Sequence, residues 1–99
     1  MKLILSRQAE RDAEQIAAWW RANRVEAPLL FSKELAAAFE AMRMRPMILR
    51  RYGSRAGKPV YRWLLRKSQQ HIYYLVNFEA EEIRVLRIFS GRRSRPPRL

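Results

Sequence analysis

Cysteine is absent from these 99 residues, histidine occurs once, glycine three times, and acidic side chains number only 9. With no thiol there is neither a disulfide framework nor a thiolate metal site, and one His71 cannot build a multi-histidine centre. No metal and no cofactor are therefore expected. The few glycines form neither GxxxxGK[ST] nor GxGxxG, which removes the phosphate-cradling loops of nucleotide hydrolases and dinucleotide enzymes. No apolar run approaches the roughly 18 residues of a membrane span, and the first eight residues lack the apolar core of a secretory leader. A cytoplasmic protein is expected.

What is abundant is positive charge. There are 21 Lys+Arg, a formal charge of +12 and a pI near 11.4. Arg outnumbers Lys 17 to 4, a bias that solubility does not require but that bidentate pairing with carboxylates or phosphates does. Residues 1–45 carry 8 basic and 6 acidic groups, and residues 46–99 carry 13 and 3. The field is thus concentrated in the second half, where it would draw a polyanion or an acidic protein. Because 48% of the residues are hydrophobic, the chain has enough apolar surface for one two-layer core, and its length suits a single domain over 1–99.

Along the chain, Met1–Leu5 reads as a short strand ending at Ser6, a helix N-cap by residue type. Ala9, Asp12, Ala13, Ile16, Ala17, Trp19 and Trp20 follow at three- and four-residue spacing and predict a helix over 7–24. Asp12 is assigned to its early turns as a dipole-favoured carboxylate. Adjacent side chains on a helix diverge by about 100°, so one of Trp19 and Trp20 is expected in the core and the other toward a partner groove. Pro28 is expected in the first turn of a second helix, whose stripe Phe31, Leu35, Ala38, Phe39, Met42 runs to Arg45 before Pro46. Residues 46–59 read as a cationic loop with turns near Gly53 and Gly57.

Three extended segments complete the chain. In the first, Tyr61, Trp63 and Leu65 alternate with Arg62, Leu64 and Arg66; in the second, Ile72, Tyr74, Val76 and Phe78 share a face. The third is apolar on both alternating sets, Ile83, Val85, Phe89 and Leu86, Ile88, which predicts a strand covered on both sides. Tyr73 and Tyr74 read as packing residues, with base stacking the alternative. Residues 94–99 are expected to form an extended tail. The fold class is α+β, β-α-α-β-β-β, with an antiparallel sheet of about four strands on an αα-hairpin.

Ser6-x-x-Ala9-x-x-Asp12-x-x-x-Ile16-x-x-Trp19, the Pro46 stop, Val60-Tyr61-Arg62, His71-Ile72-Tyr73-Tyr74, Ile83-Arg84-Val85-Leu86-Arg87-Ile88 and Gly91-Arg92-Arg93, in this order, resemble the RelE/ParE superfamily of type II toxin–antitoxin toxins. The resemblance covers nearly the whole chain and implies a growth-inhibiting, plasmid-stabilising toxin neutralised by an antitoxin that wraps its surface. RelE-like members cleave mRNA on the ribosome without a metal, using basic residues and usually a C-terminal tyrosine; ParE-like members inhibit DNA gyrase. Here His71 stands where RelE-like enzymes tend to carry an arginine, and Arg92 or Arg93 falls near another of their arginines. Past Arg93 no tyrosine follows, so the ParE-like reading is preferred. Ser90-Gly91 in place of the frequent His-Gly, and Met47-Ile48-Leu49 in place of an Ile-Gly pair, depart from that pattern.

The resemblance therefore implies no committed catalytic residue, with His71, Arg92 and Arg93 as the set if the chain is a ribonuclease. Arg87, Arg92, Arg93 and Arg95 are expected to meet the target. Arg62, Leu64, Arg66, Arg84 and Leu86 are expected to meet the antitoxin, the two leucines as exposed anchors for an acidic, amphipathic C-terminal segment. A basic nucleic-acid-binding module without toxicity remains the third reading.

Overall fold

The structure is a computed structural model that describes residues 1–45, 51–90, 97 and 99. Its elements are β1 (Lys2–Leu5), α1 (Arg7–Asn23), α2 (Leu30–Met44), β2 (Arg51–Arg55), β3 (Lys58–Leu65), β4 (Gln70–Asn77) and β5 (Glu82–Ser90). The α+β class and the αα-hairpin stand as expected. The sheet has five strands rather than four, in the order β1-β5-β4-β3-β2. It is also mixed rather than wholly antiparallel, because β1 runs parallel to β5.

The additional strand is β2, inside the segment read as a loop. Gly53 lies at a register shift against β3, where a missing side chain is tolerated. Ala56 and Gly57 both have positive φ, 50° and 79°, between the paired Arg55 and Lys58. That is a two-residue hairpin turn of the primed kind, whose twist matches the strands it joins.

One face of the sheet packs on the helices. Ile72 and Tyr74 from β4, Ile83, Val85 and Ile88 from β5 and Leu65 from β3 join Ala9 of α1 and Phe31, Leu35, Ala38 and Met42 of α2 in one core. Ser6 caps α1, its Oγ accepting from Ala9 N at 3.0 Å. Pro28 precedes α2 instead of opening it: the helix begins at Leu30, after a turn in which Leu30 N donates to Ala27 O. Glu34 of α2 accepts from Lys67 N at 2.8 Å, Ser68 N at 2.9 Å and Ser68 Oγ at 2.7 Å. One carboxylate thereby fastens the β3–β4 turn to the helical layer, with charge-assisted bonds stronger than neutral ones.

On β5 the alternation is broken. Tyr73 pairs with Arg87 but Tyr74 pairs with Val85, so Leu86 is the extra residue of a bulge. The bulge shifts the side-chain parity: Ile88 joins Ile83 and Val85 in the helix-side core, while Leu86 and Phe89 pack on the opposite face. The expected grouping of Phe89 with Ile83 and Val85 is thereby corrected.

Candidate interaction face

The sheet surface away from the helices is where the cationic strands converge. Cross-strand partners share a face, so the register sets Arg62, Tyr73 and Arg87 in one row and Leu64, His71 and Phe89 in the next. Val60, Tyr73 and Leu86 form a small second core beneath them, supported by Tyr52, Leu75, Phe89 and Leu99.

Arg62 organises the middle of this face. Its guanidinium lies 5.0 Å from the centroid of the Tyr52 ring, and the Tyr52 and Tyr73 rings meet edge to face at 4.8 Å. Tyr73 Oη and His71 Nδ1 are 3.5 Å apart, the long limit of a hydrogen bond. Burial pushes the Tyr73 phenol above its ordinary pKa, opposed by a hydrogen bond from Arg62. Burial, then the Arg62 charge, pulls His71 below its ordinary 6.5. At neutral pH the face thus holds fixed guanidiniums, a phenol and a neutral imidazole.

The His71 shift has a stability consequence. The unfolded chain takes up this proton at a higher pH than the folded chain, so stability is fully present above 6.5 and declines as pH falls toward the lowered folded value. His71→Asn is expected to flatten that part of the pH–stability curve, measured by denaturant titration. A wild-type curve no steeper than the variant's in that window would contradict it.

Arg87 is held differently. Its Nε and Nη2 donate to Asp12 Oδ2 and Oδ1 at 2.7 and 3.2 Å, and Ile88 N donates to Asp12 Oδ2 at 3.0 Å. Asp12 is 6% exposed. The reason for this arrangement is the short β1, which covers β5 only as far as Val85. Beyond it Ser6 Oγ donates to Leu86 O at 2.8 Å and Asp12 takes the Ile88 amide, so the start of α1 closes the strand edge that β1 leaves open. Asp12 is therefore an edge clasp and an arginine anchor, where the sequence reading saw a carboxylate serving the helix dipole.

Of the residues expected to meet an antitoxin, Arg62, Leu64, Arg66 and Arg84 are exposed. Arg84 pairs with Glu82 at 3.2 Å. Leu86 is not an exposed anchor: at 4% exposure it belongs to the second core, because the bulge turns it inward between Val60 and Tyr73. Of the residues expected to meet the target, Arg87 stands opposite Tyr73 in the register but turns its guanidinium to Asp12 of α1, and Arg92, Arg93 and Arg95 lie outside the described residues. The ribonuclease set reduces among described residues to His71. Tyr73 and Tyr74 are both buried, as packing requires, and neither offers a ring to a base. Burial pushes Tyr74 up to about 12. Sequence reasoning missed Tyr52, hidden in the supposed loop, and Asp12, whose partner lies 75 residues away. The tryptophan pair splits: Trp20 packs on the core and Trp19 is 49% exposed.

Among the described residues no three metal-ligating side chains cluster and no helix is long and apolar enough to cross a membrane. Residues 3–95 match the family described as "ParE toxin of type II toxin-antitoxin system, parDE". No curated protein matches the sequence. Among solved structures, a chain of the intact E. coli RelBE toxin–antitoxin complex aligns with TM-score 0.63 and 18% identity, covering 93% of this chain and 98% of that one. The isolated E. coli RelE toxin gives 0.63 and 19%, covering 94% and 86%. A chain of the chromosomal ParDE system of P. aeruginosa gives 0.63 and 20%, covering 91% and 95%. At these identities the likeness is one of fold.

Proposed function

The chain belongs to the ParE toxin family of type II toxin–antitoxin systems, and from that premise we propose that it arrests growth by docking its cationic sheet face on DNA gyrase. A cognate antitoxin neutralises it by covering the same face. The observation that carries this reading is the row Arg62–Tyr73–Arg87, in which one guanidinium rests against Tyr52 and the other is gripped by Asp12. Cations held in this way suit charge-assisted pairing with a macromolecule, since little side-chain freedom is lost on binding. Metal-free RNA cleavage needs in addition a base and an acid near neutrality. The Tyr73 phenol is shifted away from that role.

The antitoxin contributes acidic side chains to Arg62, Arg66 and Arg84 and an apolar side chain to Leu64, which is 40% exposed. Opposite charge speeds the encounter, and the apolar contact slows escape. The likeness in fold to chains from the RelBE complex and the ParDE system supports an antitoxin partner.

A second reading keeps the face but gives it chemistry: a ribosome-dependent ribonuclease in which neutral His71, beside Tyr73 Oη and Arg62, takes the ribose proton. One comparison separates the two. The purified protein is expected to stall gyrase supercoiling or accumulate cleaved DNA complexes and to leave ribosome-bound mRNA intact, with His71→Ala fully toxic. Cut mRNA that disappears in His71→Ala would replace the gyrase reading with the ribonuclease one.

A further inference from the structure

Between the second half of α1, the β3–β4 turn and the end of β5 lies a cleft of about 520 Å³, within the size range of small-molecule sites. Trp19, Trp20, Arg24, Lys67, Gln15 and Gln70 supply its chemistry. The two indoles meet edge to face at 5.8 Å, and the Arg24 guanidinium carbon lies 5.8 Å from each ring centroid. Trp19 is half exposed on a helix whose other large apolar side chains, Ile16 and Trp20, are packed against the core. An indole and a guanidinium thus offer two flat surfaces of the kind on which bases stack.

The polar groups of the cleft fit the rest of such a ligand. The Lys67 main chain is fixed by Glu34, and Lys67 is among the residues that line the cleft. Gln70 forms part of the wall, and its Oε1 is buried without a hydrogen-bond partner among the described residues. Rotation of that carboxamide turns an unsatisfied acceptor toward a donor placed in the cleft, and a glutamine amide matches the exocyclic N–H and N7 of adenine. We propose that this cleft binds a nucleotide whose base carries an exocyclic amine, adenine above all, with the base stacked on Trp19 and Arg24 and the phosphate near Lys67. The ligand is a free mononucleotide or an unstacked residue of a single strand. An acidic peptide would satisfy the cations and offer Gln70 a backbone N–H, but it brings no flat base to the indole and the guanidinium.

The test uses the full chain and follows tryptophan fluorescence and calorimetry with AMP, UMP, inorganic phosphate, a short oligoadenylate and a Glu-rich peptide. AMP is expected to quench the fluorescence saturably and to bind at least roughly tenfold more tightly than UMP or phosphate. Trp19→Ala and Gln70→Leu should each weaken AMP by about tenfold with unchanged circular dichroism. Oligoadenylate binding tighter than AMP assigns the site to a strand, and weaker binding assigns it to the free nucleotide. The proposal is overturned by equal binding of AMP, UMP and phosphate, by AMP affinity indifferent to both substitutions, by no AMP signal up to about 1 mM, or by a Glu-rich peptide that occupies the cleft when AMP does not. These readouts involve neither gyrase nor mRNA, so they stand apart from the fate of the sheet-face reading.

Discussion

Asp12→Ala is expected to lower the free energy of unfolding by about 3–5 kcal/mol, the cost of leaving one partner of a buried ion pair uncompensated. In a chain of this size that is a fall in Tm of at least about 12 °C. Four donors lose their acceptor together: Gln8 Nε2, Arg87 Nε, Arg87 Nη2 and the buried Ile88 amide. Gln8 Nε2, which donates to Asp12 Oδ1 at 3.1 Å, can turn to water, but the Ile88 N–H cannot without opening the β5 edge. The attribution is testable by a double-mutant cycle with Arg87→Met. If the pair is the cause, Asp12→Leu combined with Arg87→Met recovers the ion-pair part of the loss, because removing both charges also removes the desolvation cost, while the part owed to the unpaired Ile88 amide stays. A decrease under about 1 kcal/mol in Asp12→Ala would show the clasp to be energetically idle.

This clasp marks the boundary of what local pattern can reveal. The helices were legible because Ala9, Phe31, Leu35, Ala38 and Met42 repeat with helical period and all end in the core. The faces of β3 were legible because strict alternation separates Leu65 and the half-buried Tyr61 and Trp63 from exposed Arg62 and Leu64. Alternation fails where one residue is inserted: the Leu86 bulge reverses the parity of the last strand, and nothing in Arg84–Phe89 announces it. It is this reversal that sets Arg87 opposite Tyr73 in the register, with its guanidinium turned to Asp12 at the strand edge. β2 was hidden because Gly53, Gly57 and Pro59 read as punctuation. In the fold Gly53 marks a register shift, Gly57 completes a tight turn, and Pro59 stands opposite Ser54 next to that turn. The parallel pairing of β1 with β5 and the bond from Asp12 to Arg87 join distant parts of the chain, and local period carries no information on either. Of the candidate site, the exposed arginines and Leu64 could be read from the pattern, whereas Leu86, Asp12 and Tyr52 needed the fold.

Arg62→Glu is expected to abolish growth arrest, weakening docking by about 2–5 kcal/mol, the range for losing one member of a buried, hydrogen-bonded charge pair across an interface. The magnitude follows from where Arg62 stands. It is the cation in contact with Tyr52, it hydrogen bonds to Tyr73, and its charge helps hold His71 neutral. Arg62→Lys retains the charge but not the planar fork that stacks and pairs, so an intermediate loss of toxicity is expected. The chain contains a single histidine, which makes the local electrostatics directly observable by an NMR titration of one imidazole. Removing a cation that disfavours the imidazolium must raise the His71 pKa in Arg62→Glu, while burial keeps part of the original depression. A variant that retains full toxicity although its His71 titration has moved would show that the altered site is irrelevant to the target. An unmoved titration would mean that the Arg62 charge is not felt at His71. Loss of arrest together with an upward His71 shift and unchanged thermal stability is the outcome that a docking role for this guanidinium requires.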